Sequence, residues 1–309
     1  MRIHFIFLCL AVLSASPLLS QDDSIRRLSA EPDYVPVFSS PKHINIHTPE
    51  LLSKGILEFR VTHNFGDVAG DNGGIKNFFG LDMASDVRIG FQYGLSKRMN
   101  LIAARTKGAG MVQQLYETGI KYSILRQAND RRHPFALTFF GNMVASAMKA
   151  NPVPEQENSF DGFSDRISMT GQLIMARRFG KVSLQVNPTV VHRNYVGIGD
   201  DNTLFALGGA IRVPVRGKFS LLVDYSHTFR SSASTKYFKT QDIRFYDALG
   251  VGIEMLTAGH VFHLNFTNAT EILENRYVPR TITSWTKGQY RWGFTISRDF
   301  DLLWKKSRR

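Results

Sequence analysis

The side chains in this sequence that could do chemistry are histidines placed near serine, asparagine or aspartate. A serine hydrolase needs a nucleophile, a histidine base and an orienting group that meet in space. Ser226 and His227 are adjacent, so in a strand they point to opposite faces and cannot form a dyad. His263 and Asp224 could act as base and orienting group if their strands came close, although a satisfied polar pair is the commoner arrangement. The other pairings, which repeat no catalytic spacing, are His192 with Asn194 and His263 with Asn265.

Oxygen ligands for a metal ion occur in one glycine-containing segment. Their spacing does not match that of the EF-hand calcium loop. Asp and Asn beside glycine are more typical of a turn, so calcium binding is the weaker of the two interpretations and stays open. The chain has no glycine-rich phosphate loop, dinucleotide fingerprint or paired-histidine zinc motif, and we expect neither a cofactor nor a metal. The residues of the segment are Asp67, Asp71, Asn72 and Asp82.

These residues are positioned by segments in which apolar and polar side chains alternate. In the first of them, Leu57, Phe59 and Val61 share one face, whereas Glu58 and Arg60 share the other. A period of two residues predicts a β-strand. The alternation recurs along the chain and predicts about twelve strands, an even number as in bacterial outer-membrane barrels. The further segments are 86–93, 99–106, 116–122, 135–147, 165–178, 182–190, 202–214, 219–226, 243–257, 262–267 and 290–297.

The gaps between these segments are alternately short and long. Short gaps that carry Gly, Asn, Asp or Lys predict hairpin turns, which in outer-membrane barrels lie on the periplasmic side, whereas long loops lie outside the cell. An even strand number then puts both termini in the periplasm. The gap at Lys107 to Gly110 is short where a long one is expected. Pro188 removes one donor from its strand ladder and predicts a local bulge.

The polar faces of the predicted strands carry charges of both signs, as the interior of a membrane barrel does. A soluble β-sandwich, the alternative fold, would exclude charge from its interior. Arginines outnumber acids on this face, which favours anionic solutes in a wide pore. In a narrow barrel the same arginines would pair with the acids and close the lumen, and about twelve strands lie between these cases. The predicted lumen lining is Glu58, Arg60, Asp86, Arg88, Glu117, Lys121, Arg166, Arg193, Arg212, Asp224, Glu254, His263 and Arg291.

The N-terminal part of the chain predicts export. Residues 1–20 contain Arg2, an apolar run and small residues, as a cleaved secretory signal peptide does. The only cysteine, Cys9, lies in that run, so the mature chain would have no disulfide. Residues 21–50 are rich in Pro, Ser and charge and predict an extended periplasmic segment.

The rest of the chain is then one domain. The barrel would span residues 51–301, followed by a basic tail at 302–309. The formal net charge is +12, and Lys and Arg are mostly scattered. In an exported protein this favours contact with lipid phosphate over binding of nucleic acid.

Several strings resemble an uncharacterised family of β-barrels, domain of unknown function 5777, which is typical of Bacteroidota. The resemblance covers nearly the whole mature chain. It implies an outer-membrane barrel of unassigned activity, without established functional residues. The matching strings are GILEFRVTHNFG (55–66), NFFGLD (77–82), DVRIGFQYG (86–94) and KYSILRQ (121–127).

The last predicted strand looks like the alternating aromatic signal by which the insertion machinery recognises barrel precursors. Arg298 interrupts its apolar face, and the chain continues beyond the point where that signal normally ends. The residues that fit the signal are Trp292, Phe294, Ile296 and Phe300.

The sequence therefore predicts an all-β fold: a single transmembrane antiparallel up-and-down β-barrel of about twelve strands with a short extended N-terminal lead-in. We expect it in the cell outer membrane, as a passive channel or as a structural or partner-binding barrel. Its partners would be outer-membrane lipid, the insertion machinery and small anionic solutes. The alternative is a hydrolase at the lumen or rim that acts on lipid or acylated substrates.

Overall fold

The computed structural model describes residues 34–129 and 133–303. Within them, twelve antiparallel strands form one closed barrel: each strand pairs with its neighbours in sequence, and β1 pairs with β12. The predicted up-and-down barrel is confirmed. The strands are β1 (Ile56–Asp67), β2 (Ala84–Ser96), β3 (Met99–Thr106), β4 (Leu115–Leu125), β5 (Ala136–Ser146), β6 (Ile167–Phe179), β7 (Val182–Arg193), β8 (Thr203–Arg216), β9 (Phe219–Phe229), β10 (Ala248–Leu256), β11 (His260–Thr267) and β12 (Arg291–Asp301).

Alternation along each strand separates the two surfaces of the barrel. In β2, Arg88 and Gln92 are buried inside, whereas Ile89 and Phe91 are each 46% exposed on the outside. Successive side chains of a strand point to opposite faces. A strand in which apolar and polar residues alternate therefore has an apolar exterior face and a polar interior face. This exterior is the kind of surface that lipid covers.

The two ends of the barrel differ. We call them the short-turn end and the long-loop end. The connection between β3 and β4 spans 107–114, so the predicted short gap at Lys107 to Gly110 is wrong. The two ends of this loop are joined by a hydrogen bond from the amide of Gln114 to the carbonyl of Lys107 (2.8 Å). The connections at the short-turn end are 97–98, 126–135, 180–181, 217–218 and 257–259, of which all but 126–135 have two or three residues. The loops at the other end are 68–83, 107–114, 147–166, 194–202, 230–247 and 268–290.

Within residues 34–129 and 133–303, helical structure is confined to the long loops. The α-helices are α1 (Ser232–Thr240) and α2 (Glu274–Arg280), and short 3-10 helices occur at Ile75–Gly80, Ser164–Arg166 and Trp285–Lys287. Within the described part of the chain, no helix has the length and apolar character needed to cross a membrane.

Pro188 does not cause the predicted bulge. On one side, β7 pairs with β8 in unbroken register, with Pro188 opposite Leu207. On the other side, the pairs Gln172–Thr189 and Met175–Val186 keep one register with β6. The missing donor therefore interrupts the ladder without inserting an extra residue.

The N-terminal segment lies inside the barrel. Residues 37–52 are buried except for the partly exposed Ser39, and we call them the N-terminal plug. The chain enters from the short-turn end, where the amide of Val35 donates to the carbonyl of Gln127 (2.9 Å). This differs from the extended periplasmic segment expected over residues 21–50.

The other predictions for the two ends of the chain concern residues that the structure does not describe. The signal peptide at 1–20, residues 21–33 and the greater part of the basic tail lie outside the described residues.

The plug is held in part by an apolar patch inside the barrel. A second segment, residues 268–281 between β11 and β12, folds inward from the long-loop end, and we call it the inner loop. Small alanines on the walls leave room for larger side chains of the plug and the inner loop. The patch consists of Val37, Phe38, Ile46, Ala136, Ala176, Val191, Leu204, Ala206, Ala210, Ala248, Ala269, Tyr277 and Val278.

Candidate functional site

Asp224 on β9 holds the tip of the N-terminal plug. The plug turns back on itself there, with the amide of His43 donating to the carbonyl of Ile46 (2.9 Å). The Asp224 carboxylate accepts hydrogen bonds from the backbone amides of Ile44 (3.0 Å) and Asn45 (2.7 Å). It also accepts one from the Asn45 side chain (2.8 Å). The carboxylate thus supplies acceptors to amides that a tight turn leaves without partners.

A glycine on the neighbouring strand makes room for this turn. A Cβ atom at Gly250 on β10 would lie 2.8 Å from Ile44 Cγ2 and 2.7 Å from Asp224 Oδ1. Any larger residue at this position would therefore push against the plug and its anchor.

Lys121 on β4 holds the plug from another side of the barrel. Its buried ammonium group donates to the carbonyl oxygens of Pro41 (2.6 Å) and Glu50 (3.1 Å). The Glu50 carboxylate in turn accepts from the amides of Val37 (2.7 Å) and Phe38 (3.0 Å). Carbonyl dipoles and a nearby acid therefore compensate a lysine that has left water.

Polar side chains of other strands complete the anchoring. Asn100 accepts from the Leu52 amide (2.7 Å) and donates to the Leu52 carbonyl (3.1 Å), as a neighbouring strand would. Gln185 donates to the carbonyl of His47 (2.6 Å). Eight strands contribute hydrogen bonds to the plug, through Arg60, Asn100, Lys121, Thr138, Ser183, Gln185, Asn187, Asp224, Glu254 and Thr267.

Arginines and acids predicted to line the lumen form ion pairs along the barrel wall. Arg60 lies 3.0 Å from Glu58, and Arg88 lies 2.7 Å from Glu117. Glu254 lies 2.9 Å from Arg212 and 3.2 Å from His263. All of these residues except Arg212 are buried, so the arginines present little uncompensated charge to a solute.

His263 and Asp224 do not meet. Their strands, β11 and β9, are separated by β10, and His263 binds Glu254 while Asp224 binds the plug. The base and orienting pair considered from the sequence is therefore not formed. Ser226 is buried inside, whereas His227 faces outward with Nδ1 3.0 Å from Asp247, as strand alternation requires.

Three of the predicted lumen residues lie near the long-loop end. Arg166 belongs to the 3-10 helix before β6 and not to the strand, so its predicted strand position is wrong; its guanidinium donates to the Met148 carbonyl. Arg193 ends β7 and binds Asp200 (3.0 Å), and Arg291 begins β12 and is buried.

Asp86 joins the strand wall to the inner loop. Its carboxylate accepts from the amide of Ile272 (3.0 Å) in the inner loop and from the amide of Gly108 (2.8 Å) in the β3–β4 loop. This predicted lumen residue thus holds backbone, as Asp224 does.

The plug and the inner loop meet inside the barrel. Lys42 of the plug lies 3.1 Å from Glu274 of the inner loop and donates to the carbonyl of Ile272 (3.4 Å). His47 Nε2 lies 3.6 Å from the same Glu274 carboxylate. A cavity beside Lys42, His47 and Arg60 has a volume of about 10 Å³. Such a volume holds about one water molecule.

The inner loop is fastened by a cluster around Glu157, which lies in the β5–β6 loop. Arg276 donates to Glu157 (2.6 Å) and to Glu271 (2.7 Å), and Arg193 lies 3.6 Å from Glu157. Burial alone would raise the pKa of Glu157, but Arg276, followed by Arg280 and Arg193, lowers it to about 2. A cavity beside this cluster holds about 20 Å³, again room for about one water.

The segment considered for calcium forms a turn in the structure. The Asp67 carboxylate accepts from the amides of Gly70 and Asn72, while Asp71 and Asp82 are exposed. In the part of the chain that the structure describes, no three His, Cys, Asp or Glu side chains are grouped to hold a metal ion.

The sequence contained one signal for the plug that periodicity does not detect. Between the prolines of residues 36–49 lie apolar side chains that a solvated periplasmic segment does not need. They follow no strand or helix period because the plug is irregular. These residues are Val37, Phe38, Ile44 and Ile46, all buried.

Residues 38–300 match the family described as membrane-bound β-barrel domain (DUF5777). The chain belongs to this family. The resemblance of the four sequence strings is thereby confirmed. Because the match begins at residue 38, the DUF5777 domain includes the plug as well as the strands.

Solved structures similar to this DUF5777 barrel are porins and channels. The NanC porin gives a TM-score of 0.47 at 7% identity, with 79% of this chain and 98% of that chain covered. The KdgM porin gives 0.46 at 8%, with 79% and 99% covered. The COG4313 outer membrane channel from Pseudomonas putida F1 gives 0.45 at 13%, with 81% and 97% covered. No curated protein sequence matches the chain.

Replacing Asp224 by alanine should loosen the plug without opening the barrel wall. The amides of Ile44 and Asn45 would lose a charged acceptor, worth about 1.5–3 kcal/mol, so their hydrogen exchange should accelerate roughly 10- to 100-fold. Exchange measured by mass spectrometry on the detergent-solubilised protein checks this. Asp247→Ala, which removes an outward-facing carboxylate, is the matched control and should leave exchange over 37–52 unchanged. Equal protection in both variants would contradict the anchoring role.

Replacing Glu157 by glutamine should loosen the inner loop in a pH-dependent manner. The pKa of Glu157 in the folded protein is about 2, below its ordinary 4.5, so its stabilisation is present above pH 4.5 and is lost as the pH falls towards 2. Removing one partner of a buried ion pair costs about 3–5 kcal/mol. At pH 7, exchange over 274–280 should therefore be much faster in Glu157→Gln than in the wild type.

The pH series distinguishes this effect from a general loss of packing. The difference between wild type and Glu157→Gln should shrink as the pH approaches 2, because the wild-type carboxyl is then protonated. Glu155→Gln, an exposed change in the same loop, should match the wild type at every pH. A difference that persists undiminished at low pH would contradict the ionic role of Glu157.

Proposed function

We propose that this protein is an outer-membrane β-barrel whose lumen is closed by its own chain, and that it acts as a structural or partner-binding barrel and not as a passive channel. The observation that carries the proposal is the N-terminal plug, whose residues 37–52 form hydrogen bonds with eight strands. A free-diffusion pore needs a water-filled path, and peptide backbone occupies that space here.

The outer-membrane location is supported by the chain's ends and loops. The predicted signal peptide would export the chain, and an even number of strands leaves both ends of the barrel at the short-turn end. In bacterial barrels short turns lie in the periplasm, so the plug would enter from that side and the long loops would face outward.

Two of the three predicted classes of partner fit this placement. Lipid would contact the apolar exterior, and the insertion machinery would recognise the outward face of β12 through Trp292, Phe294, Ile296 and Phe300. Small anionic solutes are disfavoured in the closed state because Arg60, Arg88 and Arg212 are already paired with acids. The charge pattern gives no reason to propose nucleic acid as a partner.

Hydrolysis is the less favoured function. The contact between His263 and Glu254 is buried and joined by Arg212, so the histidine has no open approach for a lipid or acyl substrate. His263→Ala should therefore leave any esterase or lipase rate of the purified protein unchanged.

Planar-bilayer recording tests the proposal directly. The wild-type protein should give no steady current above background, because the lumen is filled. Gly250→Leu should give currents, since a larger side chain at this wall position would collide with Ile44 and Asp224 and displace the plug.

The matched control is Gly171→Leu, on β6, whose added Cβ would meet only Val190 at 3.4 Å. It should remain silent. Steady wild-type current at neutral pH would overturn the closed-barrel proposal, and a silent Gly250→Leu protein of normal thermal stability would contradict the predicted displacement of the plug.

A further inference from the structure

A groove runs along the outside of the barrel over strands β2 to β6. Its volume is about 720 Å³, within the range of about 300–1,000 Å³ common for small-molecule sites. Small outward-facing residues form its floor: Ala103 lies opposite Thr118 in the β3–β4 pair, and Gly141 follows on β5. Phe91 and Met143 form walls on either side. The groove therefore follows from small residues flanked by large ones on neighbouring strands.

A positive charge stands at the long-loop end of this groove. Arg105 follows Ala103 by two residues on the same face of β3, a distance of about 7 Å along the strand. It is exposed, and its guanidinium lies over the Tyr116 ring, 5.9 Å from the centroid. Among the described residues, no carboxylate pairs with it.

A second cation lies beside the first. Lys107 is the next residue on this face and is exposed; its ammonium group donates to the carbonyl oxygens of Ala84 (2.9 Å) and Ser85 (3.5 Å). Those contacts fix the position of its charge without neutralising it. Two cations on the lipid-facing side of one strand end are tolerated near the membrane interface and attract a compensating anion there.

We propose that this groove binds one phosphorylated lipid of the leaflet that meets the long loops, with an acyl chain in the groove and a phosphate on Arg105 and Lys107. A planar guanidinium and an ammonium group suit phosphate oxygens. The groove is lined mostly by apolar side chains, among them Phe91, Leu101 and Met143, and such a lining suits a flexible acyl chain.

The source of the lipid rests on the proposed orientation. With the long loops outward, Arg105 lies at the outer leaflet, where the phosphate-bearing lipid of a bacterial outer membrane is lipid A. The occupant is therefore lipid A, and phospholipid from the other leaflet would meet the wrong end of the groove.

Native mass spectrometry of the detergent-solubilised protein, titrated with purified lipid A, tests the site. The wild type should bind one molecule preferentially. Arg105→Gln should weaken that binding roughly tenfold or more, the effect of removing a charged hydrogen-bond partner. Ala103→Trp should weaken it as well, because the indole would fill the groove floor while leaving the charge in place.

Arg298→Gln is the matched control. Arg298 also faces outward and stacks on an aromatic ring, Phe300, at 5.4 Å, but it lies at the short-turn end. Its variant should bind lipid A as the wild type does. Unchanged binding in both Arg105→Gln and Ala103→Trp, or equal losses in all three variants, would overturn the site.

Two further probes test the chemistry and the source. Dephosphorylated lipid A should bind more weakly than lipid A, and phosphatidylglycerol should bind more weakly too. Equal binding of the dephosphorylated form would overturn the phosphate contact, and equal binding of phosphatidylglycerol would overturn lipid A as the occupant. None of these outcomes depends on whether the lumen conducts, so the lipid site and the closed barrel succeed or fail separately.

Discussion

The structure depends on one constraint: a peptide chain without regular secondary structure is buried in the lumen, and its backbone must find hydrogen bonds there. Within the plug, the only β-bridge is the antiparallel one between Lys42 and His47. A buried peptide group without a partner costs free energy, so the walls must supply what a helix or sheet would. Asp224 accepts from the turn amides, Lys121 donates to carbonyls, and Asn100 does both. The polar interior of this barrel is thus a set of partners for backbone.

Charge compensation explains which wall residues took that role. Burying an ion is costly unless an opposite charge or several dipoles face it. Arg60 and Arg88 already have acids on the wall, at 3.0 and 2.7 Å. Among the described residues, Lys121 and Asp224 have no charged wall side chain in contact, and these two bind the plug most directly. Two ions without an ion-pair partner on the wall thus bind the backbone of the N-terminal plug.

The strands of the barrel wall could be predicted from the sequence, whereas the N-terminal plug inside the barrel could not. Strand alternation depends only on near neighbours, so Glu58 and Arg60 could be assigned to the interior against Leu57 and Phe59. The ion partners depend on strand register, which is why His263 was matched with Asp224 and not with Glu254. The plug depends on contacts nearly two hundred residues apart in sequence, such as Asn45 with Asp224, where |i−j| is 179. Local patterns carry no information about such contacts.

The same anchors determine what the barrel must do if the plug leaves. The plug's backbone could exchange its wall partners for water at a modest net cost of about 1 kcal/mol per hydrogen bond. The apolar patch around Phe38 and Ile46 would lose its burial, which water does not replace. On the wall, Asp224 and Lys121 would lose their partners and could not stay in a dry lumen. Water would therefore have to enter as the plug leaves. The buried polar groups are satisfied in two states of the lumen, one filled by the plug and one filled by water. Partial withdrawal is disfavoured because it would strand one of these two ions.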